Sequence, residues 1–392
     1  MLSPSRLALP LLALLAGLAG CSASGTDRPR TEEDRTALLS DAAIAADARN
    51  VLLGQLDLYE AGADARRSAP FAAMLAQMGR EDLIEPEETA ALTRCGQRWV
   101  DPALVLRETA RSYQAVIVAD DPGTPAHHAF LAQLVEELAP MGFSVFAPDG
   151  FGLSGQAQAD AALPLLSDGL PLREPMAGRL VRRAKAAGLR VVSFEPTATQ
   201  ALQVARLPMA EQGGMDAEIR ADNLYVQVFQ QHPDARVIVQ TRSPAAAVAL
   251  AGRLRDRAGI KALSVVQADC AGRPGASVAM RPFGGVAGLV EAPDFLVGHP
   301  AEPWKRGRPD WRRRAGDVAV DMPDAFQTSR LPLIVEARRV GEPAGTVPED
   351  RLLLRPGEVL PLMLPPGDYR LEAWTKNGEY AAPQSIRVAG TP

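Results

Sequence analysis

The sequence predicts an α/β protein built on a doubly wound, mostly parallel sheet, with an N-terminal helical collar before it and a small C-terminal β-sandwich after it. Three observations carry that reading. From Ser112 onward, short continuous apolar runs alternate with amphipathic helical stretches, the pattern of parallel strands covered on both faces. Before Ser112, apolar residues recur at helical spacing with no strand-like run. Beyond Leu331, short alternating strands are cut by Pro and Gly turns.

Met1 to Arg6 carries one early positive charge; Leu7 to Leu18 is apolar and Leu18-Ala19-Gly20-Cys21 follows. This order reads as a secretory signal over residues 1–21, too short to cross a bilayer, which takes about 20 apolar residues. Residues 22–35 are polar and read as a tether. The collar spans residues 36–110, with Ala43, Ala46, Val51, Leu52, Leu56 and Tyr59 on helical spacing and Pro70 and Pro86 at helix starts. The core spans residues 111–325. Its strands are expected at Ala115–Asp120, Phe143–Asp149, Leu189–Glu195, Arg236–Gln240 and Lys261–Val266. Helices are expected around Pro125–Pro140, Met176–Ala187, Asp216–Gln231 and Ala245–Ala258. The sandwich spans residues 326–392, with strands at Leu331–Ala337, Leu352–Arg355, Val359–Leu364 and Tyr369–Trp374; it is either a binding module or a cover for a sheet edge.

In such sheets ligands bind beyond the carboxyl ends of the strands, which selects Asp120, Asp149, Glu195 and the segment after Gln240. Converged carboxylates raise one another's pKa unless a cation or an arginine offsets them. They can hold a divalent metal or work as acid and base; singly, each caps the turn after its strand. His127 and His128 sit at the start of the helix after the first strand. Arg173, Glu174, Glu218, Arg220 and Asn223 add polar groups from flanking elements. Gly150-Phe151-Gly152-Leu153-Ser154-Gly155 matches G-x-G-x-x-G, but the next acidic strand end, Glu195, lies too far on for a dinucleotide site, and the stretch reads as a loop over the site. Trp304–Arg314 is strongly basic and reads as a connector with packed Trp and solvated Arg, the other reading being contact with anionic lipid. The net charge of −5 gives no reason to expect nucleic acid as a partner. Cys95 and Cys270 form one disulfide or remain two buried thiols.

Leu18-Ala19-Gly20-Cys21 resembles the lipobox of bacterial lipoproteins. That resemblance implies a membrane anchor through lipidated Cys21 and, with Ser22 following, an outer-membrane location facing the periplasm. From about Cys95 to Asp269 the chain resembles the superfamily of erythromycin-esterase-like, ChaN-like haem-binding and TIKI/TraB proteins. The matching stretches are Ala119–His127, Ala147-Pro148-Asp149, Arg173-Glu174-Pro175, Phe194-Glu195, Ala217–Asn223 and Gln240–Ser243, with Arg242 in the last. The resemblance implies hydrolysis at Asp120, Asp149, Glu195 and His127, with a metal, or haem in one branch. Two family histidines are replaced here by Pro122 and Ser243, and two glutamates by Asp120 and Asp149. Proline offers neither base nor ligand, and losing a general base costs about 10²–10⁴-fold in rate. The expectation is therefore a noncatalytic envelope protein that binds a small molecule or an envelope partner. A metal-assisted esterase-like hydrolase and a haem- or iron-binding protein are the alternatives.

Overall fold

The computed structural model describes residues 48–54, 56, 69–84, 100–152, 159–270, 278–280, 292–300 and 303–390, all within one unit, 40–392. Cys21, the signal segment, the tether and Cys95, with its pairing to Cys270, lie outside them, as do residues 153–158 of the glycine-rich loop.

The apolar runs form the expected strands: β1 (Ala115–Ala119), β2 (Val145–Ala147), β3 (Arg190–Val191), β4 (Val237–Thr241) and β5 (Ala262–Cys270), joined by β6 (Val278–Met280) and β7 (Phe295–Pro300). They make one seven-stranded sheet in the order β3-β2-β4-β1-β5-β7-β6. Six strands are parallel and β6 alone runs antiparallel, against β7. Every residue of β1 is buried, because helices cover both faces of the strand. The helices are α1 (Ala69–Gln77), α2 (Pro102–Ala110), α3 (Pro125–Leu138), α4 (Pro175–Ala186), α5 (Ala198–Ala205), α6 (Met209–Leu224) and α7 (Pro244–Ala258). α2, α3 and α4 pack on the face that carries Val116, Val118, Ile238 and Val265. α6 and α7 pack on the opposite face, with Ile117, Val237 and Val239. Leu131, Leu134 and Leu138 of α3 are fully buried, each contributing about 1.5–3 kcal/mol over an exposed side chain.

Helix starts follow local chemistry. Pro125, Pro175 and Pro244 open α3, α4 and α7, where no intrahelical N–H is lost. Glu174 caps α4 and Ser243 caps α7 through their side chains. β1 and β4 are neighbours, yet the chain leaves them toward opposite faces, through α3 and α7. That divergence opens a crevice at their carboxyl ends.

The C-terminal part adds a short β8 (Trp304–Lys305) and β9 (Arg308–Pro309) hairpin and the turn α8 (Trp311–Arg314). There follow β10 (Val318–Val320), β11 (Leu333–Arg339), β12 (Asp350–Leu354), β13 (Leu362–Leu364), β14 (Gly367–Thr375) and β15 (Gly378–Val388). The four-stranded sheet β12-β11-β14-β15 and the pair β10-β13 enclose Leu333, Val335, Leu352, Leu362, Leu364, Tyr369 and Leu371. The other side of β11 and β12, at Ile334 and Leu353, takes Leu52, Leu53 and Leu56 with Phe71, Met74 and Leu75 of α1.

Four details differ from the sequence reading. α2, expected in the collar, packs in the α/β core. β10, expected in the core, pairs with β13 of the sandwich. β7 and β15 were not foreseen. In the basic stretch, Arg308 and Arg312 are not solvated: both are fully buried on Asp350, at 3.1 and 2.7 Å, because the incoming β12 brings a carboxylate to them. Among the described residues no helix is long and apolar enough to cross a membrane.

Candidate functional site

Strand alternation places Asp120, just past β1, on the α3 side of the sheet, together with Gln240 near the end of β4. Gln240 Nε2 donates to Asp120 Oδ2 at 2.5 Å. In the first turn of α3, His128 Nε2 lies 3.1 Å from the same oxygen, and His128 Nδ1 lies 2.9 Å from Glu174 Oε2. Glu174 in turn accepts from the backbone N–H groups of Met176 and Ala177, at 2.9 and 2.8 Å. Both imidazole nitrogens therefore face carboxylates, and both donate. Burial opposes the charge on His128, but Asp120 and then Glu174 outweigh it and lift its pKa to about 10. His128 is thus an imidazolium clamped between two acids, with no free nitrogen to act as a base.

The second network lies beyond β2 and β3. Asp149 accepts from Arg242 Nε at 3.0 Å, and Arg220 Nη1 lies 3.6 Å from it. Glu195 accepts from Arg220 Nη2 at 2.8 Å and from Gly150 N–H at 2.6 Å. The α6 positions Asp216, Arg220 and Asn223 share one helix face by their spacing. Asp216 fixes Arg220 Nε at 2.7 Å, and Asn223 holds the Glu195 carbonyl at 2.9 Å. Gly150 is the first glycine of the G-x-G-x-x-G match. Its φ of 120° and the approach of Pro171, 2.8 Å from where a Cβ would stand, require glycine, so its N–H serves Glu195 rather than a phosphate. Burial, and next the Asp149 charge, push the Glu195 pKa up to about 7 against the pull of Arg220. We expect an infrared carboxyl band titrating with a midpoint about 7, which Asp149→Asn moves downward and Glu195→Gln removes. An unchanged midpoint in Asp149→Asn would show that Asp149 does not act on it.

The three strand-end acids thus share an edge but form two separate networks. Each is already met by cations of the chain: His128 for Asp120, Arg220 and Arg242 for the others. Among the described residues no group of three or more His, Cys, Asp or Glu side chains is arranged to hold a metal ion, so the donor set does not fit the metal implied by the resemblance. Haem fits no better: Asp121 N–H donates to His127 Nδ1 at 3.1 Å, which leaves the neutral ring's proton on Nε2, where an iron would need a lone pair.

Of the remaining expected residues, Arg173 turns to the Leu166 carbonyl at 2.7 Å, and Glu218 lies about 200° around α6 from Arg220. Ser243, at a position where the resemblance has histidine, is spent on the α7 cap, accepting from Ala246 N–H at 3.1 Å. Gln240, Asp216, Gln267 and His299 were missed. A polar residue at the end of an otherwise apolar strand was the available signal for Gln240, Gln267 and His299.

No family model matches the chain, and no curated protein matches its sequence. Among the solved structures that match, two show low likeness to the chain. One, described as the type III effector HopBA1, is 14% identical, with 53% of this chain and 94% of that chain covered and a TM-score of 0.33. The other, described under bacterial protein toxins, is 13% identical, with 60% of this chain and 47% of that chain covered and a TM-score of 0.31.

Proposed function

We propose that the chain is an envelope lipoprotein, anchored through lipidated Cys21 at the periplasmic face of the outer membrane, whose sheet-end site binds a small molecule or partner without hydrolysing it. The observation that carries this is the commitment of His128, Asp149 and Glu195 to partners within the chain. His128 spends both nitrogens on carboxylates, and Asp149 and Glu195 are bridged by Arg220. A general base needs a free lone pair within reach of a substrate proton, and neither network leaves one on an imidazole. The Leu18–Cys21 signal supports the anchor.

The test has two arms. Mass spectrometry of the N-terminal peptide from membranes is expected to find Cys21 acylated, with Cys21→Ser released into the soluble fraction. A panel of small esters and amides is expected to show equal background rates for the wild type and Asp149→Ala. Turnover that depends on Asp149 would instead favour the second reading, an esterase-like hydrolase. One observation supports that alternative: Glu195, titrating at about 7 beside Asp149, has the proton affinity of an acid–base group. Its rate would follow a titration with a midpoint about 7 and be lost in Glu195→Gln.

A further inference from the structure

Alternation along the strands places one row of polar side chains on the α3 face of the sheet's carboxyl edge. Gln240 lies one residue before the end of β4, Asp120 follows β1, Gln267 and Asp269 lie near the end of β5, and His299 lies near the end of β7, where it pairs in register with Asp269. The first turn of α3, with His127 and His128, closes over this row. Asp120, His127, His128, Gln240, Gln267 and His299 are all buried. Among the described residues, the hydrogen bonds within the layer leave two acceptors and two donors over. Gln240 turns its Nε2 to Asp120, so Gln240 Oε1 and Asp120 Oδ1 have no donor. Gln267 Oε1 lies 2.9 Å from His299 Nε2, which must therefore donate, and this leaves Gln267 Nε2 without an acceptor. His127 Nδ1 accepts from Asp121 N–H, so the ring proton sits on Nε2, which also has no acceptor; a carboxylate oxygen of Asp269 lies 3.7 Å away. The rings of His127 and His299 lie 4.7 Å apart, which ties the donor pair together across α3 and β7.

An unanswered buried polar atom costs about 1–3 kcal/mol, so four in one layer point to a function for the layer beyond packing. Their signs select the chemistry. An anion would face Asp120 Oδ1. A cation would face the His128 imidazolium and two N–H groups. A hydroxyl both donates and accepts, so neighbouring hydroxyls answer acceptors on the β4/β1 side and donors on the β5 side at once. We infer that this layer, under the first turn of α3 at the carboxyl ends of β4, β1 and β5, is a binding slot for a small neutral polyhydroxyl molecule. The inference deepens the binding reading above and rests on it. Asp269, with a side chain 67% exposed, stands at the rim beside His127 and marks the side from which a ligand enters.

The test is a titration of the full-length chain, labelled with ¹⁵N at histidine, with D-glucose and with myo-inositol; sodium phosphate and zinc chloride serve as contrasts. One of the two polyols is expected to move the His127 ring resonances saturably, and Gln267→Leu to weaken that binding at least tenfold. The wild-type titration stands without the variant should Gln267→Leu fail to fold. Histidine resonances that respond to neither polyol would overturn the inference, the four atoms then being met by ordered water. A response to phosphate or zinc alone would also overturn it while leaving the binding reading intact. Ester turnover dependent on Asp149 would remove the binding reading itself, a result the polyol titration does not produce.

Discussion

Replacing His128 with leucine will lower the unfolding free energy by about 3–5 kcal/mol, the cost of removing one member of a buried ion pair and leaving its partners unpaired. Two partners are stranded at once: Asp120, which among the described residues keeps only Gln240 as a side-chain donor, and Glu174, which keeps the α4 backbone. The effect carries a pH signature with a fixed sign. The folded pKa of about 10 lies above the ordinary 6.5, so between those values the folded chain holds a proton that the unfolded chain has released. Stability from this group is full below pH 6.5, declines as the pH rises and is lost above about 10. Urea melts of wild type and variant should therefore diverge most near pH 6 and converge by about pH 10.5. A gap that stays constant across that window would mean His128 is not charged in the folded chain.

The contrast between what was legible in the sequence and what was not follows from the range of each force. Parallel strands covered on both faces read as apolar runs, so β1, β2, β4 and β5 and their helices were visible one by one. β7 escaped because Gly298 and His299 interrupt its apolar run, and β15 because Pro383 lies inside it and its alternation breaks around Ala381 to Pro383. The carboxylates of the site were found by position, since a parallel strand ends where its ligand edge begins. Their partners were named only as polar groups on flanking elements, and which would pair with which was not legible. Arg220 reaches Glu195 from α6, and Glu174 reaches His128 from the cap of α4. Such pairings depend on helix azimuth and on which strand inserts beside which; β4 enters between β2 and β1 only after β3 is laid down. The motif therefore located the acids and left open whether a metal or an arginine would neutralise them.

The same long-range logic governs the interior between the collar and the sandwich, where Glu336→Leu is expected to cost at least as much as the loss of His128. Glu336 of β11 is fully buried and accepts from Arg49 Nε at 2.6 Å, from Arg338 Nη1 at 3.0 Å and from Arg351 Nε at 2.8 Å. Burial works against its charge, but Arg338, Arg49 and Arg351 outweigh it and hold its pKa well below the ordinary carboxylate value of 4.5. With Glu336 gone, three buried guanidinium groups keep Glu372 for Arg49 and Arg338, at 3.0 and 3.4 Å, while Arg351 keeps only backbone carbonyls. Removing one partner of such a cluster costs about 3–5 kcal/mol. A depressed carboxylate stabilises above its unfolded value and loses that contribution as pH falls through its folded value, so the wild type should lose its advantage over Glu336→Leu only in strong acid. Arg49 belongs to the helical segment 48–54 and also lies over the Trp374 ring at 3.9 Å, so hydrogen exchange should show amides 48–54 losing protection first while β1 and β4 keep theirs. Arg351→Leu added to Glu336→Leu should then recover part of the loss, because it removes a stranded cation. Two losses that simply add would show that the arginines are solvated and that the cluster does not couple the collar to the sandwich.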